Sequence, residues 1–91
     1  MKTRVHLYIS GRVQGVFFRD SSRQMAKSLG VTGYASNLPD GRVEVVIEGD
    51  IGSVNSLIQW CRKGPSHAFV ESVEVLNELF IDEFKDFEVR R

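Results

Sequence analysis

The residues best suited to chemistry lie in one glycine-containing segment, residues 11–19, with the sequence Gly-Arg-Val-Gln-Gly-Val-Phe-Phe-Arg. Between a strand and a helix, such a loop can turn successive backbone N–H groups toward one point and form an anion nest. The following helix adds unpaired N–H donors and a favourable dipole. The planar guanidinium of Arg19 can hold two oxygens of the same anion. The segment indicates a phosphate or sulfate cradle, and the alternative is a plain connection with a surface arginine.

The segment differs from two well-known phosphate-binding loops. It lacks the Gly-Lys-Ser/Thr run of nucleotide P-loops. Its glycine spacing is also not that of the dinucleotide-binding fingerprint. The sequence therefore favours an anion cradle of another kind.

A second candidate is Asn37, which precedes the run Leu-Pro-Asp-Gly. Its side-chain amide offers an acceptor and donors, so it can hold a water molecule by two contacts. An asparagine at this place can equally support a hairpin turn through a local side-chain bond. The residues alone leave the two roles evenly open.

The other reactive side chains are expected to serve the fold. Cys61 lies on the apolar face of the second predicted helix without a neighbouring base, so we expect it in the core. His6 and His67 are far apart and have no carboxylate or cysteine partner at ligand spacing. We therefore expect two surface histidines and no metal site.

Three carboxylates also have ordinary interpretations. Asp20 follows Arg19 in the first turn of the first helix, where an acidic residue favours the helix start. Because it would repel a bound phosphate, its side chain is expected to point away from the site. Glu44 and Glu48 lie on the polar side of a predicted strand and are expected to form a solvated face.

The hydrophobic pattern outlines the elements that must position these residues. Alternation over residues 5–9 predicts a strand, and residues 11–15 are predicted to form a loop. Helical spacing over residues 18–29 predicts a helix that ends at Gly30. The further predicted elements are a strand at 31–38, a hairpin turn at 38–41, a returning strand from 43, a helix from a cap at Asp50 to Gly64, and strands at about 69–76 and 84–89.

The element order is β-α-β-β-α-β with a small extra strand. It predicts an α+β, ferredoxin-like two-layer α/β sandwich, with two helices on one face of a mostly antiparallel four- to five-stranded sheet. This architecture hosts many unrelated activities, so it does not decide the function.

Bulk properties set limits on partners and location. The length of 91 residues suits one domain over residues 1–91, and 42% apolar with 26% charged residues is typical of a globular protein. A formal net charge of zero argues against nucleic acid and anionic membranes as partners. Because there is one cysteine, no signal-peptide pattern and no membrane-spanning stretch, we expect a cytoplasmic protein, and we expect it to be a monomer.

Two stretches resemble the two signatures of the acylphosphatase family. The first is Gly-Arg-Val-Gln-Gly-Val-x-Phe-Arg at residues 11–19, and the second is Gly-Tyr-Ala-Ser-Asn-Leu-Pro-Asp-Gly-Arg-Val-Glu at residues 33–44. The resemblance runs over about residues 5–89. Departures are small, because Tyr34 stands where tryptophan is frequent and Phe17 stands at a loop position that varies within the family.

The resemblance implies a hydrolase without cofactor or metal that cleaves the carboxyl–phosphate bond of small-molecule acyl phosphates. It implies that Arg19 binds the phosphoryl group and that Asn37 orients the attacking water. Inorganic phosphate and sulfate are expected to compete with the substrate. The implied phosphate-binding backbone amides are those of the loop, at about Gln14, Gly15, Val16, Phe17 and Phe18.

Two rival functions belong to other classes. A single-stranded nucleic-acid binder of this fold would present aromatic side chains on its central strands, but the outward face of the first strand offers only His6 and Tyr8. The second rival is an acylphosphatase-like module of a larger assembly that binds phosphate or carbamoyl phosphate. Hydrolysis of benzoyl phosphate would separate that module from an enzyme.

Overall fold

A computed structural model describes all residues from Met1 to Arg91. Five strands and two helices follow one another along the chain, and neither helix is long and apolar enough to cross a membrane. The elements are β1 (Lys2–Arg12), α1 (Phe18–Leu29), β2 (Thr32–Asn37), β3 (Val43–Asp50), α2 (Ile51–Lys63), β4 (Phe69–Glu78) and β5 (Phe87–Arg90).

The strands form one sheet in the order β4-β1-β3-β2-β5. Neighbouring strands are antiparallel except β2 and β5, which run parallel. Buried side chains of both helices and of the inner sheet face belong to one hydrophobic core, so both helices pack on the same face. The predicted α+β, ferredoxin-like two-layer sandwich is confirmed.

Helix α1 begins and ends at the predicted residues. Phe18, Ser22 and Ala26 are buried along its inner side, and the Ser22 hydroxyl donates to the Phe18 carbonyl at 2.7 Å. Gly30 adopts the left-handed conformation, with φ 73°, and its N–H closes the last turn. Because Phe18 is anchored in the core, the first turn of α1, which carries Arg19, is held against the sheet.

Strand β1 continues past its predicted end. Residues 11–15 were expected as a loop, but Gly11 and Arg12 still pair with β4 after a register shift at Ser10. Gly11 has φ 125°, and a side chain there would collide with the Phe69 carbonyl. Glycine permits this close approach. The loop between β1 and α1 is therefore confined to residues 13–17, and we call it the β1–α1 loop.

Helix α2 buries one face, which includes Cys61 as predicted. Its first residue, Ile51, is 40% exposed. Asp50 stands at the N-cap position without a side-chain capping bond, and its carboxylate lies 3.7 Å from Lys2 Nζ instead. The buried residues of the helix are Val54, Leu57, Ile58 and Cys61.

The outer face of the sheet is partly covered by residues 79–86, which connect β4 to β5 and which we call the strap. Glu48 of β3 points into the strap and is 1% exposed. Its carboxylate accepts the N–H of Ile81 at 3.0 Å and of Glu83 at 2.8 Å. Asp82 between them has φ 52°, which turns the two amides toward one point. The predicted solvated face is wrong at Glu48 because the strap covers it.

An arginine completes the pairing of Glu48. The guanidinium nitrogens of Arg4 lie close to three carboxylates. The N···O distances are 3.4 Å to Glu48, 2.7 Å to Glu83 and 2.8 Å to Glu78. Burial alone would raise the pKa of Glu48, but the strap amides and Arg4 outweigh it and hold that pKa below its ordinary value. Burial alone would lower the pKa of Arg4, and its hydrogen bonds to Glu78, Glu83 and Glu48 raise it.

His6 has carboxylate partners that its sequence spacing did not reveal. Its ring nitrogens lie 2.7 Å from Glu44 and 3.1 Å from Glu78, on the two strands that flank β1. Its ring stacks on Tyr8 with centroids 4.7 Å apart. The predictions of an unpartnered His6 and a solvated Glu44 are therefore wrong, whereas His67 is exposed as predicted. No group of three or more His, Cys, Asp or Glu side chains is arranged to hold a metal ion.

Candidate active site

One cavity joins the β1–α1 loop, the first turn of α1 and the end of β2. Its volume is about 290 Å³. It brings together the two residues singled out as catalytic, Arg19 and Asn37, which are far apart in the sequence. Its lining residues are Val13, Gly15, Phe17, Phe18, Arg19, Asp20, Asn37 and Arg91.

The β1–α1 loop has the conformation expected of an anion nest. Gly15 has φ 74° and Phe17 has φ 64°, both in the left-handed region. The side chains of Val16 and Phe18 are buried in the core and anchor the loop. No amide of residues 14–17 donates to an acceptor within the protein, and the first amides of α1 lack intrahelical partners by their position. The loop therefore presents a run of unpaired N–H donors.

Gln14 and Val16 do not line the cavity, although both were implied as phosphate-binding residues. The Gln14 side chain donates to the carbonyls of Leu38 at 2.8 Å and of Arg42 at 2.9 Å. It thereby fastens the loop to the hairpin turn that follows Asn37. Sequence reasoning missed this side-chain role. The only signal for it in the sequence is that a glutamine amide carries two N–H donors.

Arg19 is held by the C-terminal strand. Its Nη1 donates to the Arg90 carbonyl at 2.9 Å. This contact uses one of the five N–H donors of the guanidinium and leaves the others for an anion. Because β5 pairs with β2, the contact also links Arg19 to the strand that carries Asn37.

Asn37 is the last residue of β2, and its side chain makes no hydrogen bond within the protein. The hairpin turn is held by other groups. The Asp40 carboxylate accepts hydrogen bonds from the backbone N–H of Arg42 at 3.1 Å and from the Arg42 Nε at 2.8 Å. The backbone N–H of Leu38 donates to the Arg42 carbonyl at 2.8 Å. The turn therefore does not depend on the Asn37 side chain. Asn37 instead lines the cavity.

Asp20 departs from its predicted orientation. It was expected to point away from the site, but it lines the cavity. Its Oδ1 is shielded from solvent and has no hydrogen bond. That oxygen lies 3.7 Å from Arg91 and 3.9 Å from Arg23. The prediction was based on repulsion between Asp20 and a bound phosphate. It left out these two arginines, whose positive charges balance the charge of the carboxylate.

Cys61 has no place in this site. It is 0% exposed in the core, and burial raises the pKa of its thiol to about 12. A thiol of this kind stays protonated near neutral pH and is a poor nucleophile. Its predicted packing role is confirmed.

Comparisons with known proteins agree with the resemblance of the two stretches to the family signatures. The family model described as Acylphosphatase matches residues 5–89. The chain belongs to the acylphosphatase family. An acylphosphatase of Rubrobacter xylanophilus is 59% identical over 87 residues, which cover 96% of this chain and 79% of that protein. The structure of an acylphosphatase from Coxiella burnetii is 40% identical, with a TM-score of 0.91, and covers 98% of this chain and 93% of that one.

The acylphosphatase fold also occurs inside longer proteins. The structure of HypF from T. kodakarensis is 27% identical and has a TM-score of 0.84, but this chain covers only 12% of it. The likeness to the Coxiella and Rubrobacter acylphosphatases extends over most of both chains. The family assignment, and with it the hydrolysis of acyl phosphates, rests on the family model and on these two matches.

Proposed function

We propose that this acylphosphatase cleaves its substrate by in-line attack of a water molecule that Asn37 orients, while Arg19 and the amides of residues 14–18 hold the phosphoryl group. The observation that carries the proposal is the single cavity lined by Arg19, Asn37 and a loop whose amides are unpaired. The volume of about 290 Å³ suits a small acyl phosphate.

The chemistry fits these groups. The water oxygen forms a bond to phosphorus, the bond from phosphorus to the acyl oxygen breaks, and the carboxylate leaves with the electron pair. Charge on the equatorial oxygens is stabilised by the Arg19 guanidinium and the loop amides. The Asn37 amide cannot accept the proton of the water, so a phosphate oxygen takes it. Catalysis then depends on positioning and charge stabilisation.

We also propose the setting in which the enzyme works. The groups that the mechanism uses, Arg19, Asn37 and the loop amides, meet at a cavity within one chain, so the proposed mechanism needs no second subunit. Inorganic phosphate and sulfate fit the same cradle and are expected to inhibit competitively. One buried thiol without a disulfide suits a reducing compartment, which supports a cytoplasmic location.

The first test is hydrolysis of benzoyl phosphate by the unaltered protein in the presence of EDTA. We expect turnover to persist, because Arg19 and the backbone amides supply the positive charge. Phosphate binding without hydrolysis would instead support the binding-module alternative. Activity that is lost in EDTA and restored by a divalent ion would contradict the proposed mechanism.

The second test separates the roles of the two residues. Arg19→Gln removes a bidentate cation, so kcat/KM should fall by about three orders of magnitude, and the inhibition constant of phosphate should rise. Asn37→Ala should lower kcat by about two to three orders of magnitude and leave phosphate inhibition nearly unchanged. Steady-state kinetics with phosphate as inhibitor measure both effects.

Matched controls exist on the same sheet. Arg12→Gln alters an exposed arginine beside the loop, and Asn77→Ala alters an exposed asparagine on β4; neither residue lines the cavity. Both controls should keep turnover within about twofold. Near-normal turnover in folded Asn37→Ala would remove the oriented water from the mechanism. Loss of phosphate inhibition as severe as in Arg19→Gln would contradict the separation of roles.

A further inference from the structure

Phe17 is an exposed apolar side chain at the active-site cavity. It is 74% exposed, yet it lines the same cavity as Arg19 and Asn37. The other two apolar lining residues, Val13 and Phe18, are only 1% and 2% exposed. Phe17 therefore supplies the accessible apolar surface of the site.

The fold does not explain this side chain. Phe17 is outside the hydrophobic core, and its φ of 64° places a bulky residue in the left-handed region. Glycine would adopt that conformation without the steric cost of a Cβ atom. An unfavourable backbone conformation at a site, with no packing that offsets it, points to a functional role for the side chain.

The charged groups at the same cavity balance one another. Asp20 lies 3.7 Å from Arg91 and 3.9 Å from Arg23. In the proposed mechanism, Arg19 holds the phosphoryl group and Asn37 holds the water. The acyl part of a substrate then meets Phe17 as the exposed apolar side chain of the cavity.

We infer that Phe17 binds the acyl group and makes the enzyme selective for acyl phosphates with an aromatic or extended apolar acyl group. The inference rests on the proposed hydrolytic mechanism. In-line attack puts the leaving carboxylate on the side of phosphorus opposite the water. The Phe17 ring borders the cavity that this group occupies. Contact between the ring and an aromatic acyl group, in an offset or edge-to-face arrangement, removes apolar surface from water.

The test compares kcat/KM for benzoyl phosphate with kcat/KM for acetyl phosphate. Phe17→Asn and Phe17→Gly both tolerate the left-handed conformation, so the loop keeps its path. In each, the benzoyl-to-acetyl ratio should fall by about five- to tenfold. Phe17→Tyr keeps the ring and should hold the ratio within about twofold. Phe69→Thr, at another exposed phenylalanine outside the cavity, should also leave the ratio unchanged.

The outcomes distinguish this inference from the proposed function. If the unaltered protein hydrolyses neither substrate, the proposed function fails, and the inference fails with it. If it hydrolyses both, and the Phe17 variants lower both values of kcat/KM by the same factor, only the acyl-binding role is overturned. A ratio that falls as much in Phe69→Thr as in Phe17→Asn would overturn it as well.

Discussion

The β1–α1 loop and the strap bend their backbones in the same way, but their amides have different partners. Phe17 in the loop and Asp82 in the strap are the two non-glycine residues with positive φ, at 64° and 52°. In the strap, the amides on either side of Asp82 donate to the Glu48 carboxylate. In the loop, the amides of residues 14–17 have no partner within the protein. The filled nest supports the fold, and the open nest is available to a ligand.

The filled nest indicates how strongly such a bend favours an oxyanion. Burial raises the free energy of the ionised Glu48 side chain. Two amides and Arg4 reverse that effect and hold the pKa of Glu48 below its ordinary value. In the β1–α1 loop, residues with unpaired amides line the same cavity as Arg19. A phosphoryl group there would take the position that Glu48 has in the strap.

The largest expected effect comes from emptying the filled nest. Glu48→Ala leaves Arg4 without one partner and two strap amides without an acceptor, so the free energy of unfolding should fall by about 3–5 kcal/mol. Urea denaturation measures this change. Glu44→Ala on the same face is the control and should cost less, because that side chain is 18% exposed and does not contact the strap. An equal loss of unfolding free energy in the two variants would contradict the claim that the strap amides and Arg4 give Glu48 its large effect on stability.

The pH dependence of stability tests the same carboxylate with a smaller effect. Because the pKa of Glu48 is lower in the folded protein than in the unfolded chain, its contribution is present above its ordinary pKa and is lost as the pH falls through the folded-state value. Glu48→Gln should therefore be less stable than the unaltered protein near neutral pH. The gap in urea midpoint between the two proteins should narrow as the pH falls below the ordinary glutamate pKa of about 4.3. A gap that stays constant with pH would mean that folding does not shift the pKa of Glu48.

Patterns local in sequence were predictable, and features that depend on distant segments were not. Helix α1 follows from apolar spacing and a terminal glycine within one short stretch. The prediction of a solvated Glu48 was wrong because the strap, which covers this side chain, lies more than thirty positions later in the sequence. The predicted orientation of the Asp20 side chain was wrong because its partner Arg91 lies at the far end of the sequence. The approach of Asn37 to Arg19 was expected from the family resemblance, since the residues alone left Asn37 evenly between two roles.

The smallest expected effect concerns the two left-handed residues. Phe17→Gly removes the steric cost of a Cβ atom and loses little packing, so the free energy of unfolding should rise by about 1 kcal/mol. Asp82→Gly should change it by less than about 0.5 kcal/mol, because aspartate tolerates this conformation better. Urea denaturation of both variants measures the difference. Destabilisation by Phe17→Gly would show that the Phe17 side chain supports the fold.

The most direct test of the open and filled nests is a phosphate titration of the unaltered protein, followed by amide proton–nitrogen correlation spectra. The amides of residues 14–18 should shift together and saturate with one dissociation constant. The amides of Ile81 and Glu83 should stay in place, because Glu48 already occupies their nest. Loop amides that do not respond to phosphate, or strap amides that respond as strongly, would contradict the account.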